Sequence, residues 1–333
     1  MKTHLYSQQE EFVDKVKKQI QLYLTGIDPV IQSKLDYLTL SEGKLFRPNL
    51  IFLTSKIAEV NLKQAIEISA ACELIHLASL VHDDIIDNAS NRRGIPTLNF
   101  KFGNKASVLI GDFLFSKAFL ILAPHVDQGA FTPFLNAIDC MCRGELKQLE
   151  NVYNPDLSLL SYLDIIELKT ASLIAACTEA CAHMAGLPST QVENLKKFGL
   201  HMGKTYQIVD DIMDYIGVFS EKSKTRGNDI REGIVTLPLI YFFSEPQFQE
   251  FRSEIIHLWE SPISQEQVKT LTNRLIESGS IEKAIGKAKE ESMAATSYIK
   301  DFPESEAKTH LVELLNKITT KIPENLMHPA GVK

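Results

Sequence analysis

The sequence predicts an all-α protein built as one domain, residues 1–333. Apolar residues recur with helical spacing from Glu11 to Asp87 and again from Leu157 to Phe219. No alternating apolar and polar run of strand length interrupts them. No stretch rich in Pro, Gly or Ser divides the chain, so a second domain is not expected. At 44% hydrophobic and 23% charged residues the composition is that of an ordinary globular protein, with enough apolar surface for one large core.

The formal net charge of −7 argues against non-specific nucleic-acid binding, because such binding needs a basic face. Lys and Arg are dispersed, apart from small groups near Lys44, Arg92 and Lys222. The five cysteines form no Cys-x-x-Cys pair, and Cys177 and Cys181 lie one helical turn apart in an apolar segment. Buried free thiols in a reducing compartment are expected. No charged-then-apolar leader opens the chain, and no apolar run approaches the ~20 residues of a membrane span. The expected location is therefore cytoplasmic, with no transmembrane segment.

One acidic pattern occurs twice, as Asp83-Asp84-Ile85-Ile86-Asp87 and as Asp210-Asp211-Ile212-Met213-Asp214. Residues four apart share a helix face, so Asp83 pairs with Asp87 and Asp210 with Asp214, the middle residue standing to one side. Carboxylates this close raise one another's pKa unless a cation holds them. Hard oxygen donors suit Mg²⁺, which takes one or two carboxylates per ion and completes its shell with water and phosphate oxygens. Two such clusters facing each other would hold a diphosphate. A single copy is often a solvated helix end, but the apolar surroundings of the first, His76 to His82, do not fit one.

Basic and amide groups accompany the acids. Gly43-Lys44-Leu45-Phe46-Arg47-Pro48 places two cations at a helix start marked by Pro48, which suits an anion as well as a helix cap. Arg92-Arg93-Gly94 lies in a loop bounded by Asn91 and Pro96; its guanidinium forks suit either the nearby aspartates or phosphate. His76 stands two turns before Asp83 on the same face. Lys169-Thr170 interrupts an apolar run, where a charge needs a partner. Gln207 approaches the second acidic cluster, and Lys224 follows it in a polar loop that can close over an anion.

Together these segments resemble the trans-isoprenyl diphosphate synthases over almost the whole chain. The resemblance rests on Gly43 to Pro48, Leu80 to Asp87, Arg92-Arg93-Gly94, Gly144-Glu145-Leu146-Lys147-Gln148, Lys169-Thr170 and Tyr206 to Asp214, in that order. It implies an isoprenoid-synthase-type helical bundle around a deep central cavity. It also implies that Asp83, Asp84, Asp87, Asp210 and Asp211 hold Mg²⁺ against an allylic diphosphate, with Asp214 a weaker candidate. Arg92, Lys169, Thr170, Gln207 and Lys224 would bind that diphosphate, Lys169 also serving catalysis. Lys44, Arg47, His76 and Arg93 would hold isopentenyl diphosphate.

In this family, bulky aromatic residues four and five positions before the first aspartate form a floor that limits product length. Here those positions are Ser79 and Ala78, and Ile75 and Cys72 below them are also non-aromatic. A medium or long product of roughly six to ten isoprene units follows, grown from farnesyl or geranylgeranyl diphosphate for a quinone side chain. Ile234 replaces a lysine that many members carry but that medium- and long-chain members often lack. The larger subunit of two-component heptaprenyl diphosphate synthases is among those, so the chain is expected to form a homodimer or to pair with a small subunit. Transient membrane contact would release so apolar a product.

Three alternatives remain on the sequence. A short-chain geranylgeranyl diphosphate synthase is one, since helices other than the one carrying Ala78 and Ser79 also line the cavity. A terpene cyclase shares the fold and the first acidic motif, but it usually has a mixed Asn/Ser/Glu second motif and lacks the Lys44 and Arg47 site. A non-catalytic partner subunit would tend to lose aspartates that this chain retains.

Overall fold

A computed structural model describes residues 4–38, 45–92, 94–217 and 227–323. Among these residues the fold is all-α, as expected, and the only strands are β1 (Asn91–Arg92) and β2 (Ile95–Pro96). They pair antiparallel, so the expected loop is a miniature hairpin whose turn uses Gly94 at φ 83°. The chain forms two compact units, each discontinuous in sequence. The first comprises Met1–Ile138, Ala176–Lys196 and Phe302–Leu311, the second Asp139–Ala175, Lys197–Asp301 and Val312–Lys333. The passages fall within α7 (Phe131–Glu150), α9 (Ser172–Met184), α10 (Ser189–Ile216) and α16 (Glu306–Thr319), and once between helices.

In the first unit, α4 (Leu62–Ile86) is the central helix. Apolar residues occupy nearly all of its circumference, and Ala65, Ile68, Leu74, Ile75 and Ala78 are fully buried, as a helix without a polar face must be. Asn61 caps it by accepting the backbone N–H of Lys63 at 2.9 Å. Around it pack α1 (His4–Leu24), α3 (Phe46–Ala58) and α6 (Asn104–Leu122), with α2 (Pro29–Leu35) and α5 (Leu98–Phe102) lying against α6. Phe12 of α1 meets Phe52 of α3 with ring centroids 5.2 Å apart. Contact with α6 is tight at Gly111, where an added Cβ would lie 2.1 Å from Nε2 of His82. His82 is held there by the Val108 carbonyl at 3.2 Å and by the Phe115 ring.

Two sequence expectations need correction. By length and composition alone, α4 and the stretch Asn104–His125 could each cross a membrane, although no such run was expected. For α4 the physical reason is its place in the core, which demands apolar side chains all round. The cysteines are free, but they are not uniformly buried: Cys72, Cys177 and Cys181 are, Cys140 is half-buried and Cys142 is exposed. The Sγ atoms of Cys72 and Cys177 are 3.3 Å apart.

The second unit is built on α8 (Leu159–Ile166), α11 (Asn228–Arg231), α12 (Leu237–Ser244), α13 (Gln249–Leu258), α14 (Gln265–Glu277) and α15 (Ser280–Tyr298). Its α12 packs on α14 and α15 through a core that includes Leu237, Phe242, Leu275, Ala284 and Ala288. A capping box of Ser264 and Gln267 starts α14. Glu291 of α15 is buried but accepts from His201 at 2.6 Å and pairs with Lys287 at 2.9 Å. Burial pushes its carboxyl up, yet these two partners outweigh burial and hold it at about 2.

Two helical glycines should respond to alanine with opposite sign. At Gly286, where an added Cβ meets nothing within 4 Å, alanine should stabilise by about 0.5–1 kcal/mol through helix propensity. At Gly111 the same gain is outweighed by overpacking against His82, worth about 1–3 kcal/mol, so the thermal midpoint should fall. Adding His82→Ala should recover part of that loss. The Glu291 shift sets an acid window. Because the folded pKa lies below the ordinary 4.5, its stabilisation is present above pH 4.5 and is lost as pH falls through about 2. Denaturant titrations of wild type should show a loss on the order of 3 kcal/mol over that window, and Glu291→Gln should remove it.

Candidate active site

Both acidic clusters end a helix. Asp83 and Asp84 lie in the last turn of α4 with Asp87 as its C-cap, and Asp210, Asp211 and Asp214 lie in the last two turns of α10. No basic residue occupies either last turn. The helix carbonyls there carry partial negative charge, which adds to the repulsion among the aspartates. In both copies the middle aspartate is buried, Asp84 and Asp211, while Asp87 and Asp210 are exposed and Asp83 and Asp214 half-buried.

In the first unit, Arg92 of the hairpin places Nε and a terminal nitrogen on one oxygen of Asp84, each at 2.9 Å. Its guanidinium thus takes the ion-pair option that the sequence left open. Asn99 of α5 donates to the Asp84 carbonyl at 3.0 Å and fixes the chain after the cluster. Arg47 is the second residue of α3, and its buried Nε has no hydrogen-bond partner among the described residues. Its charge acts on Glu73 of α4, three residues before His76. Burial raises the Glu73 pKa, Arg47 lowers it in part, and one buried oxygen of Glu73 also lacks a hydrogen-bond partner among the described residues. Ala78 is fully buried; Ser79 is half-buried and turns its hydroxyl back to the His76 carbonyl at 2.9 Å.

In the second unit, α8 runs into a π-helical turn, Glu167–Ala171, that presents Lys169 and Thr170. Two glycines make room for it. A Cβ at Gly144 of α7 would sit 2.7 Å from the Lys169 backbone nitrogen, and one at Gly203 of α10 only 2.4 Å from Cα of Ala171. Such turns widen a helix locally and recur at functional sites. The partner that Lys169 requires is Glu145 of α7, at 2.6 Å. Thr170 donates to the side-chain oxygen of Gln207 at 2.7 Å, and the Gln207 amide donates to Oδ1 of Asp211 at 2.7 Å. The Tyr162 hydroxyl donates to Oδ2 of Asp211 at 2.6 Å.

Burial raises the Asp211 carboxyl to about 7, and Asp210 and Asp214 push the same way, although Tyr162 and Gln207 pull it down. Asp229 of α11 is driven well above its ordinary value, first by burial and then by Asp214, Asp211 and Asp210. Burial also keeps the Tyr162 phenol well above its usual range, with Asp211 adding to the effect. Asp214 plays a structural part, since its carboxylate accepts the backbone N–H groups of Gly227 at 3.0 Å and Asp229 at 3.2 Å, which secures the start of α11.

Among the described residues, no group of three or more His, Cys, Asp or Glu side chains gathers closely enough to enclose an ion. The donor set still fits a hard divalent cation. It consists of carboxylate oxygens carrying excess negative charge, few per ion, as Mg²⁺ with a wet, phosphate-filled shell requires. Lys44, Arg93 and Lys224 lie outside the described residues. Tyr162, Asp229 and Glu73 were not singled out from the sequence. Glu145 lies in the Gly144–Gln148 segment that carries the resemblance, and the cost of an unpaired Lys169 called for a partner without identifying it.

Residues 28–275 match the family model described as polyprenyl synthetase. An octaprenyl diphosphate synthase of Haemophilus influenzae is 33% identical over 302 residues, covering 91% of this chain and 92% of that protein. Heptaprenyl diphosphate synthase component 2 of Geobacillus stearothermophilus is 39% identical over 203 residues, 61% of this chain and 63% of that one. The crystal structure of a polyprenyl synthase from Caulobacter crescentus, complexed with calcium and isoprenyl diphosphate, superposes with TM-score 0.87 at 30% identity over 95% of this chain and 96% of that chain. A decaprenyl diphosphate synthase from Rhodobacter capsulatus gives 0.88 at 27% identity, covering 96% and 98%. The fold is thus the all-α isoprenoid synthase fold, and the chain belongs to the polyprenyl synthetase family of prenyltransferases.

Proposed function

We propose that this protein is a Mg²⁺-dependent trans-polyprenyl diphosphate synthase that extends an allylic diphosphate with successive isopentenyl diphosphates to a medium- or long-chain product. The observation that carries this reading is the pair of acidic helix ends, each with a buried middle aspartate fixed by donors. Such an arrangement costs stability unless cations meet it. Similarity to octaprenyl and heptaprenyl synthases supports the longer product, as do the small residues Ala78 and Ser79. A quinone side chain is the proposed destination.

In this reading Asp83, Asp84, Asp87, Asp210 and Asp211 carry the ions, and Asp214 chiefly shapes the segment after them. When bound, Mg²⁺ neutralises charge on the departing diphosphate. Lys169 moves from Glu145 to phosphate oxygens, and Arg92 from Asp84, each exchanging a carboxylate for the substrate's charge. Thr170, Gln207 and Lys224 complete the allylic site; Lys44, Arg47, His76 and Arg93 hold isopentenyl diphosphate. The allylic C–O bond breaks, the isopentenyl double bond attacks the cation to form the new C–C bond, and a proton passes to the released diphosphate. No protein base is assigned.

We read the chain as one domain, because its passages between the two units lie mostly inside continuous helices. The buried free thiols support a reducing, cytoplasmic setting. Likeness to heptaprenyl synthase component 2 supports a partner, either a second copy or a small subunit. So does α6, where Leu109 is 68% and Leu120 58% exposed beside an open depression of about 530 Å³ lined by Phe115, Phe119 and Phe131.

Purified protein given farnesyl diphosphate, isopentenyl diphosphate and Mg²⁺ should yield extended allylic diphosphates, separable by chromatography, and chelation should stop the reaction. A hydrocarbon product, or none even with extract from the source organism, would refute the proposal. Activity appearing only with a second protein would select the two-component form. Asp84→Asn and Asp211→Asn should each lower kcat by about 10²–10³-fold. Ser79→Phe should shorten the product while sparing the first condensation; unchanged length would sink the assignment of that floor.

A further inference from the structure

The segment 159–171 grips α10 at one carboxylate from two directions. Tyr162 reaches Oδ2 of Asp211 directly, while Thr170, on the π-helical turn of the same segment, reaches Oδ1 through Gln207. Tyr162 is only 3% exposed and Asp211 5%. A phenylalanine would fill the same space without a hydroxyl to satisfy, and a buried hydroxyl is unfavourable unless bonded. The hydroxyl therefore has a use that packing does not explain.

A carboxylate offers about four lone-pair sites, two on each oxygen. Tyr162 and Gln207 take one on each oxygen and leave one on each. Both donors are neutral, so they orient Asp211 without cancelling its charge. Asp84 differs, since its partner is the cation Arg92.

We propose that Tyr162 is a positioning residue for the second acidic cluster, holding Asp211 in one rotamer with its remaining lone pairs presented to a divalent ion while adding no charge of its own. This rests on the proposed metal role of Asp211. Partners that orient a ligating carboxylate typically contribute about 10–100-fold to metal affinity.

The test is Tyr162→Phe, read by the Mg²⁺ concentration that produces half the rise in thermal midpoint in the presence of inorganic diphosphate, with half-activation by Mg²⁺ measured in parallel. Both concentrations should rise about 10–100-fold. The metal-free midpoint should move by only a few degrees, about what one hydrogen bond is worth, and KM for isopentenyl diphosphate should stay unchanged. In an Asp211→Asn background, Tyr162→Phe should add no further change, because the effect runs through that carboxylate. Replacing Tyr162 with 4-aminophenylalanine, which keeps a neutral donor, should restore the Mg²⁺ response and also serves if the phenylalanine variant folds poorly. A wild-type Mg²⁺ response in Tyr162→Phe, an equal effect in both backgrounds, or no rescue by the amino analogue would overturn the proposal. Wild type that is stabilised by Mg²⁺ but elongates nothing would defeat the synthase reading while leaving the role of Tyr162 standing. Wild type without any Mg²⁺ response would defeat the metal reading and this proposal together.

Discussion

Carboxylates gathered at the negative end of a helix are the constraint around which the rest of this structure is arranged. Each aspartate at such a position forgoes about 0.3–1 kcal/mol to the helix dipole before repulsion from its neighbours is counted. Both clusters accept that penalty, and neither last turn carries a lysine or arginine to relieve it. Arg92 of the hairpin pairs with Asp84, and in the proposed reading a divalent cation would meet the charge of the clusters. What the protein does supply is orientation. Arg92 and Asn99 fix the end of α4, and Tyr162, Gln207 and the backbone amides after α10 fix the second cluster.

Orientation at the second cluster reaches back into the backbone. Gln207 can serve Asp211 only because Thr170 holds its other end, and Thr170 sits on a turn that an ordinary α-helix would place differently. That turn exists where two neighbouring helices have no Cβ. Gly144 and Gly203 therefore shape the proposed site through the backbone, since a methyl group at either would meet the turn. Loss of side-chain volume on two helices thus becomes the position of a hydroxyl, then of an amide, then of a carboxylate.

Much of this was legible in the sequence, and the reason differs from element to element. The doubled Asp-Asp-x-x-Asp was readable because its spacing is local, and a helix converts local spacing directly into a shared face. The cost of an unpaired Lys169 predicted a partner but could not name Glu145, whose approach depends on how α7 packs. Tyr162 was invisible: 49 residues separate it from Asp211, and nothing near it in sequence distinguishes it from a core tyrosine. The π-helical turn was hidden for a related reason, because its cause lies in glycines of two other helices. The apolar breadth of α4 was underestimated because a helix buried on every side shows little periodicity to read.

The same logic applies where the first unit leaves polar groups unsatisfied. Among the described residues, Nε of Arg47 and one oxygen of Glu73 are buried without hydrogen-bond partners, each a loss of about 1–3 kcal/mol, as are the hydroxyls of Thr54 and Ser69 on the same two helices. They occur on α3 and α4, and Arg47 is among the residues proposed to hold isopentenyl diphosphate. A chain selected for stability alone would pair these atoms or replace them with apolar groups. An anionic ligand would accept from Nε of Arg47, whereas the Glu73 oxygen calls for a donor. Natural sequences break local rules mainly at functional sites. The orphaned donor of Arg47 thus supports, independently of the acidic motifs, the proposed second anion position.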